Sequence, residues 1–85
     1  MMKFRFISDP GHGWLEVPMT LLESLDVQKK ISQFSYRKGD MAYLEEDCDA
    51  PVLIKALKDK SIQYVFTEVY QERTRIRNYE RFVNA

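Results

Sequence analysis

Two side chains in this sequence could do covalent chemistry, and each type occurs once. They are His12, between Gly11 and Gly13, and Cys48, inside Glu45-Glu46-Asp47-Cys48-Asp49. A cysteine is a nucleophile as its thiolate, with a histidine as the usual base. The acids around Cys48 oppose a thiolate, because reactive cysteines sit near positive charge, although a helix N-terminus would act the other way. The expected role of Cys48 is therefore a buried packing thiol, and no catalytic residue is expected. His12 and Trp14 read instead as contacts on an exposed turn. Gly11-His12-Gly13 lacks the Gly-Lys-Ser/Thr end of a phosphate loop and leads into a strand, so it is not a nucleotide motif.

The next candidates are charges. Glu45, Glu46, Asp47 and Asp49 are dense enough to suggest a hard cation, but their spacing does not fit an EF-hand loop and the required turn glycine is absent. No metal and no cofactor are expected. One of Asp47 and Asp49 should cap the helix that follows, which leaves surplus acid as a protein-contact surface. Arg73, Arg75, Arg77 and Arg81, interleaved with Tyr70, Tyr79 and Phe82, form the second charged cluster. Phosphates favour arginine and bases favour aromatic faces, so this run is the best nucleic-acid signal in the chain.

Formal net charge is zero over 85 residues, which removes a strong global pull toward nucleic acid or anionic lipid. That balance hides segregation. Residues 40–50 hold five acids and no base, whereas residues 51–85 hold seven bases against four acids. A lone cysteine cannot form an internal disulfide, and the N-terminal apolar patch is interrupted by Lys3 and Arg5, unlike a signal-peptide core. No run approaches the roughly 20 apolar residues of a membrane span. The expected setting is the cytoplasm, with no membrane partner.

The elements that must position these groups follow from periodicity. Lys3-Phe4-Arg5-Phe6-Ile7 alternates as a strand with Phe4 and Phe6 inward, Asp9 to Gly13 make a turn in which Gly11 and Gly13 can take positive φ, and Trp14 to Val17 resume as the second strand of a hairpin. Pro18 opens a short helix over 18–25 with Leu21, Leu22 and Leu25 on one side. Residues 31–37 and 41–45 read as a second hairpin about Lys38-Gly39-Asp40, with Phe34 and Tyr36 on one face. Asp49 or Asp47, then Pro51, start a helix over about 50–60 whose apolar stripe is Val52, Leu53, Ala56 and Leu57. Ile62 to Tyr70 is β-branched and aromatic, and reads as the central strand. Beyond Gln71 the chain is open to two readings: extended, Arg73, Arg75 and Arg77 share a face; helical, they spread around the axis. Ile76, Tyr79 and Phe82 suggest that this tail docks.

The order ββαββαβ predicts a single α+β domain over 1–85, with an antiparallel sheet, two helices on one face and a basic C-terminal segment over 72–85. Ser8-Asp9-Pro10-Gly11-His12-Gly13-Trp14-Leu15-Glu16-Val17-Pro18 and Ala42-Tyr43-Leu44-Glu45-Glu46-Asp47-Cys48-Asp49-Ala50 resemble two blocks of a group of small proteins encoded in bacteriophages, prophages and plasmids. The resemblance implies a bacterial cytoplasmic accessory factor. Small proteins of that kind are often inhibitors of host defence, anti-CRISPR proteins among them, that act by occupying a surface. The expected function is thus non-enzymatic binding to a host protein or a protein–nucleic-acid complex. The alternative is direct nucleic-acid binding through the arginine run.

Overall fold

The computed structural model describes residues 1–83, so the last two residues of the expected basic segment lie outside the described residues. Six strands and two α-helices follow one another as β1 (Met2–Ser8), β2 (Gly13–Pro18), α1 (Met19–Ser24), β3 (Tyr36–Lys38), β4 (Met41–Glu45), α2 (Ala50–Asp59), β5 (Tyr64–Tyr70) and β6 (Glu80–Arg81). They build one sheet of order β5-β1-β2-β4-β3-β6. The α+β class and the hairpin β1–β2 match expectation. The sheet is mixed rather than antiparallel, because β5 runs parallel to β1, with Met2 opposite Tyr64 and Ser8 opposite Tyr70. The crossover through α2 imposes this direction: a helix between two strands of one sheet brings the second back parallel to the first.

Three local expectations change. Strand β5 lies at the edge, not the centre, and Val65, Phe66 and Tyr70 are exposed there. Its composition marks a strand but does not say how many neighbours the strand has. Residues 31–35 are not strand, and Phe34 and Tyr36 part company: Tyr36 is buried and Phe34 exposed. The cause is Asp49, whose carboxylate accepts the Ser32 N–H at 3.0 Å and the hydroxyls of Ser32 and Ser35, drawing 32–35 into a turn. Neither Gly11 nor Gly13 has positive φ; of the glycines only Gly39, in the β3–β4 turn, does. Gly13 is needed for a different reason, since a Cβ there would lie 2.5 Å from the Phe6 ring.

Strand alternation sorts the apolar side chains onto two faces. On one, Phe4, Leu15, Val17, Ala42 and Leu44 pack under Leu22 of α1 and Leu53 and Leu57 of α2. Both helices end in a left-handed residue, Asp26 and Ser61, that returns the chain to the sheet. On the other face, Ile7, Trp14, Tyr36 and Tyr43 pack under Ile76 and Tyr79 of the C-terminal segment. That segment is neither one strand nor one helix: it crosses the sheet through a 3-10 turn at Ile76–Asn78 and ends as β6. It docks, as its apolar residues suggested.

Candidate functional site

The β1–β2 turn is held by a buried carboxylate. Asp9 donates its N–H to the His12 carbonyl at 2.9 Å, and its Oδ1 accepts the N–H groups of Gly11 and His12 at 3.0 and 2.9 Å. The same carboxylate takes the Thr74 hydroxyl at 3.2 Å and both terminal nitrogens of Arg77, one of them at 3.1 Å. Asp9 is nearly fully buried, whereas the Arg77 side chain is 44% exposed. Burial alone would push the Asp9 carboxyl up. The Arg77 hydrogen bonds, the two N–H groups and the guanidinium charge outweigh it and hold the carboxyl at about 2. Arg77 is thereby fixed 5.2 Å above the Trp14 ring, which also lies 5.9 Å from the imidazole of His12.

The acidic corner divides its residues among several jobs. Glu45 accepts the N–H groups of Asp47 and Cys48 at 3.0 and 2.7 Å, so it ties the turn after β4. Asp49 is buried, and its side chain does not cap α2; only its carbonyl meets the Val52 and Leu53 N–H groups. The expected cap is thus replaced by a serine clamp, and Asp49 leaves the surface set. Glu46 points to the helix-covered side, beside Phe6, Pro51, Ile54 and Phe66. Asp47 alone remains an exposed acid beside Cys48. Cys48 is exposed rather than buried, because the turn lifts it off the core. The Glu45 hydrogen bond, followed by lesser contributions that include the charges of Glu45, Asp49 and Asp47, pushes its thiol up, away from nucleophilic use.

Turn, corner and tail meet in one cleft of about 320 Å³ on the tail-covered face. His12 and Trp14 come from the turn, Glu45, Asp47 and Cys48 from the corner, and Arg77 and Arg81 from the tail; Phe34 and Tyr36 complete the lining. Of the two turn residues only His12 is exposed as expected: Trp14 is buried, because its ring packs against Ile7, Tyr36 and Ile76 beneath Arg77. Arg81 lies 5.2 Å over the Tyr36 ring and donates to the Gln33 carbonyl at 3.0 Å. The cleft therefore offers guanidinium groups seated on aromatic rings, facing carboxylates. Arg73 and Arg75 lie elsewhere, around a hollow shared with Arg5, Tyr43 and Tyr79. In that region Arg5 is committed to Glu16 at 2.8 Å. Its hydrogen bonds hold the Glu16 carboxyl down, and burial together with Glu16 pushes the Tyr43 hydroxyl up to about 12.

Asp9, Phe34 and Tyr36 are cleft-forming residues that sequence reasoning missed. Nothing in the local pattern ties residue 9 to residue 77. Among the described residues, no group of three or more His, Cys, Asp or Glu side chains is arranged to hold a metal ion. No described helix is long and apolar enough to cross a membrane.

Fold and cleft together define a small α+β domain whose mixed sheet is covered by helices on one side and by its own C-terminal segment on the other. Comparison of the chain with protein-family models, with curated proteins and with solved structures finds no match in any of the three. The residues and their geometry are what remains to read function from.

Proposed function

We propose that the protein is a non-enzymatic binding module of a mobile element, which docks its tail-covered face against a host protein or protein–nucleic-acid complex. The observation that carries this reading is the convergence of His12, Glu45, Asp47, Cys48, Arg77 and Arg81, from three separate segments, on one cleft. Its mixture of fixed arginines, one exposed aromatic ring, Phe34, and carboxylates suits a polypeptide partner bearing both charges; a phosphate chain would meet Asp47 and Glu45 as well as the arginines. Inhibition of host defence, of the anti-CRISPR kind, is the setting implied by the resemblance of residues 8–18 and 42–50. Cys48 and His12 share the cleft, but a thiol among carboxylates is a poor nucleophile, which favours binding over catalysis.

The test is affinity capture from bacterial cells with tagged wild type, Asp47→Lys and Arg81→Glu. Loss of the same recovered protein in both variants is expected. Unchanged recovery in both would overturn the reading. A second reading has its own observation: Arg37, Lys38 and Arg75 surround a separate hollow of about 410 Å³, where three bases outnumber the one acid of the lining, Glu80. Direct nucleic-acid binding there would give salt-sensitive anisotropy with labelled oligonucleotides that falls in Arg37→Glu and Arg75→Glu but not in Asp47→Lys.

A further inference from the structure

The two edges of the sheet are built differently. One ends in β6, two residues long and both charged. The other ends in β5, seven residues long, without proline or lysine, and with Val65, Phe66 and Tyr70 exposed. Natural sheets protect edges with short strands, lysine, proline or bulges. Edge β6 is protected in this way, whereas β5 carries one charge, Glu68, in seven residues.

The ladder to β1 shows which backbone groups β5 leaves free. Met2 donates to the Gln63 carbonyl, and Gln71 donates to the Ser8 carbonyl. In a parallel ladder the N–H and C=O of one residue point to the same side, so the odd-numbered residues of β5 face β1. Tyr64, Phe66, Glu68 and Tyr70 therefore direct their main-chain groups outward, where no strand among the described residues meets them.

The strand reads Tyr-Val-Phe-Thr-Glu-Val-Tyr, close to a palindrome about Thr67. We propose that β5 is a homodimer interface, pairing antiparallel with β5 of a second copy across a two-fold axis at Thr67. Outward-facing residues must meet outward-facing residues, which restricts the register. With the axis at Thr67, Tyr64 meets the second copy's Tyr70 and Phe66 meets its Glu68, and these are the hydrogen-bonded pairs. Val65 then meets Val69, and Thr67 meets itself, as the non-hydrogen-bonded pairs. Every β5 residue is used, tyrosine meets tyrosine, valine meets valine and threonine meets threonine, Phe66 opposite Glu68 is the one unlike pairing, and no two glutamates face each other. An axis at Glu68 would set glutamate against glutamate, and one at Phe66 would leave Tyr70 outside the paired strand. The axis is perpendicular to the sheet, so both tail-covered faces lie on the same side. The dimer would present two copies of the cleft to one target.

Sedimentation equilibrium at micromolar concentration tests this. The wild type is expected at twice its 10.1 kDa chain mass. Thr67→Glu sets two carboxylates across the axis while resting beside Arg5 in its own chain, and is expected as a monomer with unchanged circular dichroism and Trp14 emission. Cysteine scanning in a Cys48→Ser background reads the register without relying on destabilisation. Non-hydrogen-bonded pairs place Cα atoms about 4.5 Å apart, within disulfide reach. Thr67→Cys should therefore form an intermolecular disulfide, at least tenfold more readily than Val65→Cys or Val69→Cys. A wild-type monomer, a dimer undiminished by Thr67→Glu, or equal cross-linking at all three positions would each overturn the proposal. Because β5 contributes nothing to the cleft, that result would leave the cleft reading standing, and loss of partner capture by Asp47→Lys and Arg81→Glu would not bear on the dimer.

Discussion

The two faces of the sheet spend their side chains on different ends. Under the helices the core is mainly aliphatic, with Phe4 and Phe82 its buried aromatic members, and Leu15, Leu22, Leu44, Leu53 and Leu57 have no exposed surface. Under the C-terminal segment the core is mainly aromatic, and the three cation–aromatic contacts among the described residues lie there: Arg77 on Trp14, Arg81 on Tyr36 and Lys38 on Tyr79. Aliphatic packing excludes water and is non-directional, so it stabilises without presenting anything. Aromatic rings under guanidinium groups are half a core and half a surface, since the cation keeps one side toward solvent. The helix-covered face makes the domain fold, and the tail-covered face gives it something to present.

The largest effect should come from the helix-covered face. Leu57→Ala removes a fully buried side chain and should cost about 3 kcal/mol in urea unfolding. That is a large part of the roughly 5–10 kcal/mol expected for a domain of this size. On the tail-covered face the main single contribution to stability is the Asp9–Arg77 pair. Asp9→Asn should cost on the order of 2 kcal/mol at neutral pH, between the values for exposed and buried pairs because Arg77 is half exposed. The pH dependence has a fixed sign. Asp9 titrates lower in the fold, at about 2, than its ordinary 3.8, so its contribution is present above pH 3.8 and is lost as pH falls toward 2. Urea titrations across that interval should show a steep fall for the wild type and a shallower one for Asp9→Asn. An equal slope in both would remove the pair from the account of this face.

Smaller effects sharpen the same contrast. Arg81→Ala loses one cation–aromatic contact and one hydrogen bond to the Gln33 carbonyl, and should cost no more than about 1 kcal/mol while abolishing partner capture. A large loss of stability instead would make Arg81 a structural residue. Ser61→Gly relieves the left-handed backbone after α2 and should raise stability by about 0.5–1 kcal/mol without touching the cleft.

Much of the helix-covered face was legible in the sequence, because its signals are local. The stripe Val52, Leu53, Ala56 and Leu57 and the period-two run Phe4, Phe6 each name the buried side within one element. The tail-covered face was not, because it is made of contacts between distant residues. Asp9 and Arg77 are 68 positions apart, and Asp49 reaches back 17 residues to Ser32. The acidic corner looked like a single surface because its composition says nothing of direction. In the fold Glu45 ties its own turn, Asp49 is buried, Glu46 faces the other side of the sheet, and Asp47 remains. The position of β5 was missed for a related reason: edge and central strands share a composition when the edge carries no protective residue.

The claim that the cleft is the working surface is tested most directly by photo-crosslinking in bacterial cells. Benzoylphenylalanine would replace Phe34, the exposed aromatic on the cleft lining, and in a second chain Lys55, exposed on α2 across the sheet. A single partner adduct from position 34, absent from position 55 and abolished by Arg81→Glu, is the predicted result. Adducts from position 55 that equal or exceed those from position 34 would contradict it.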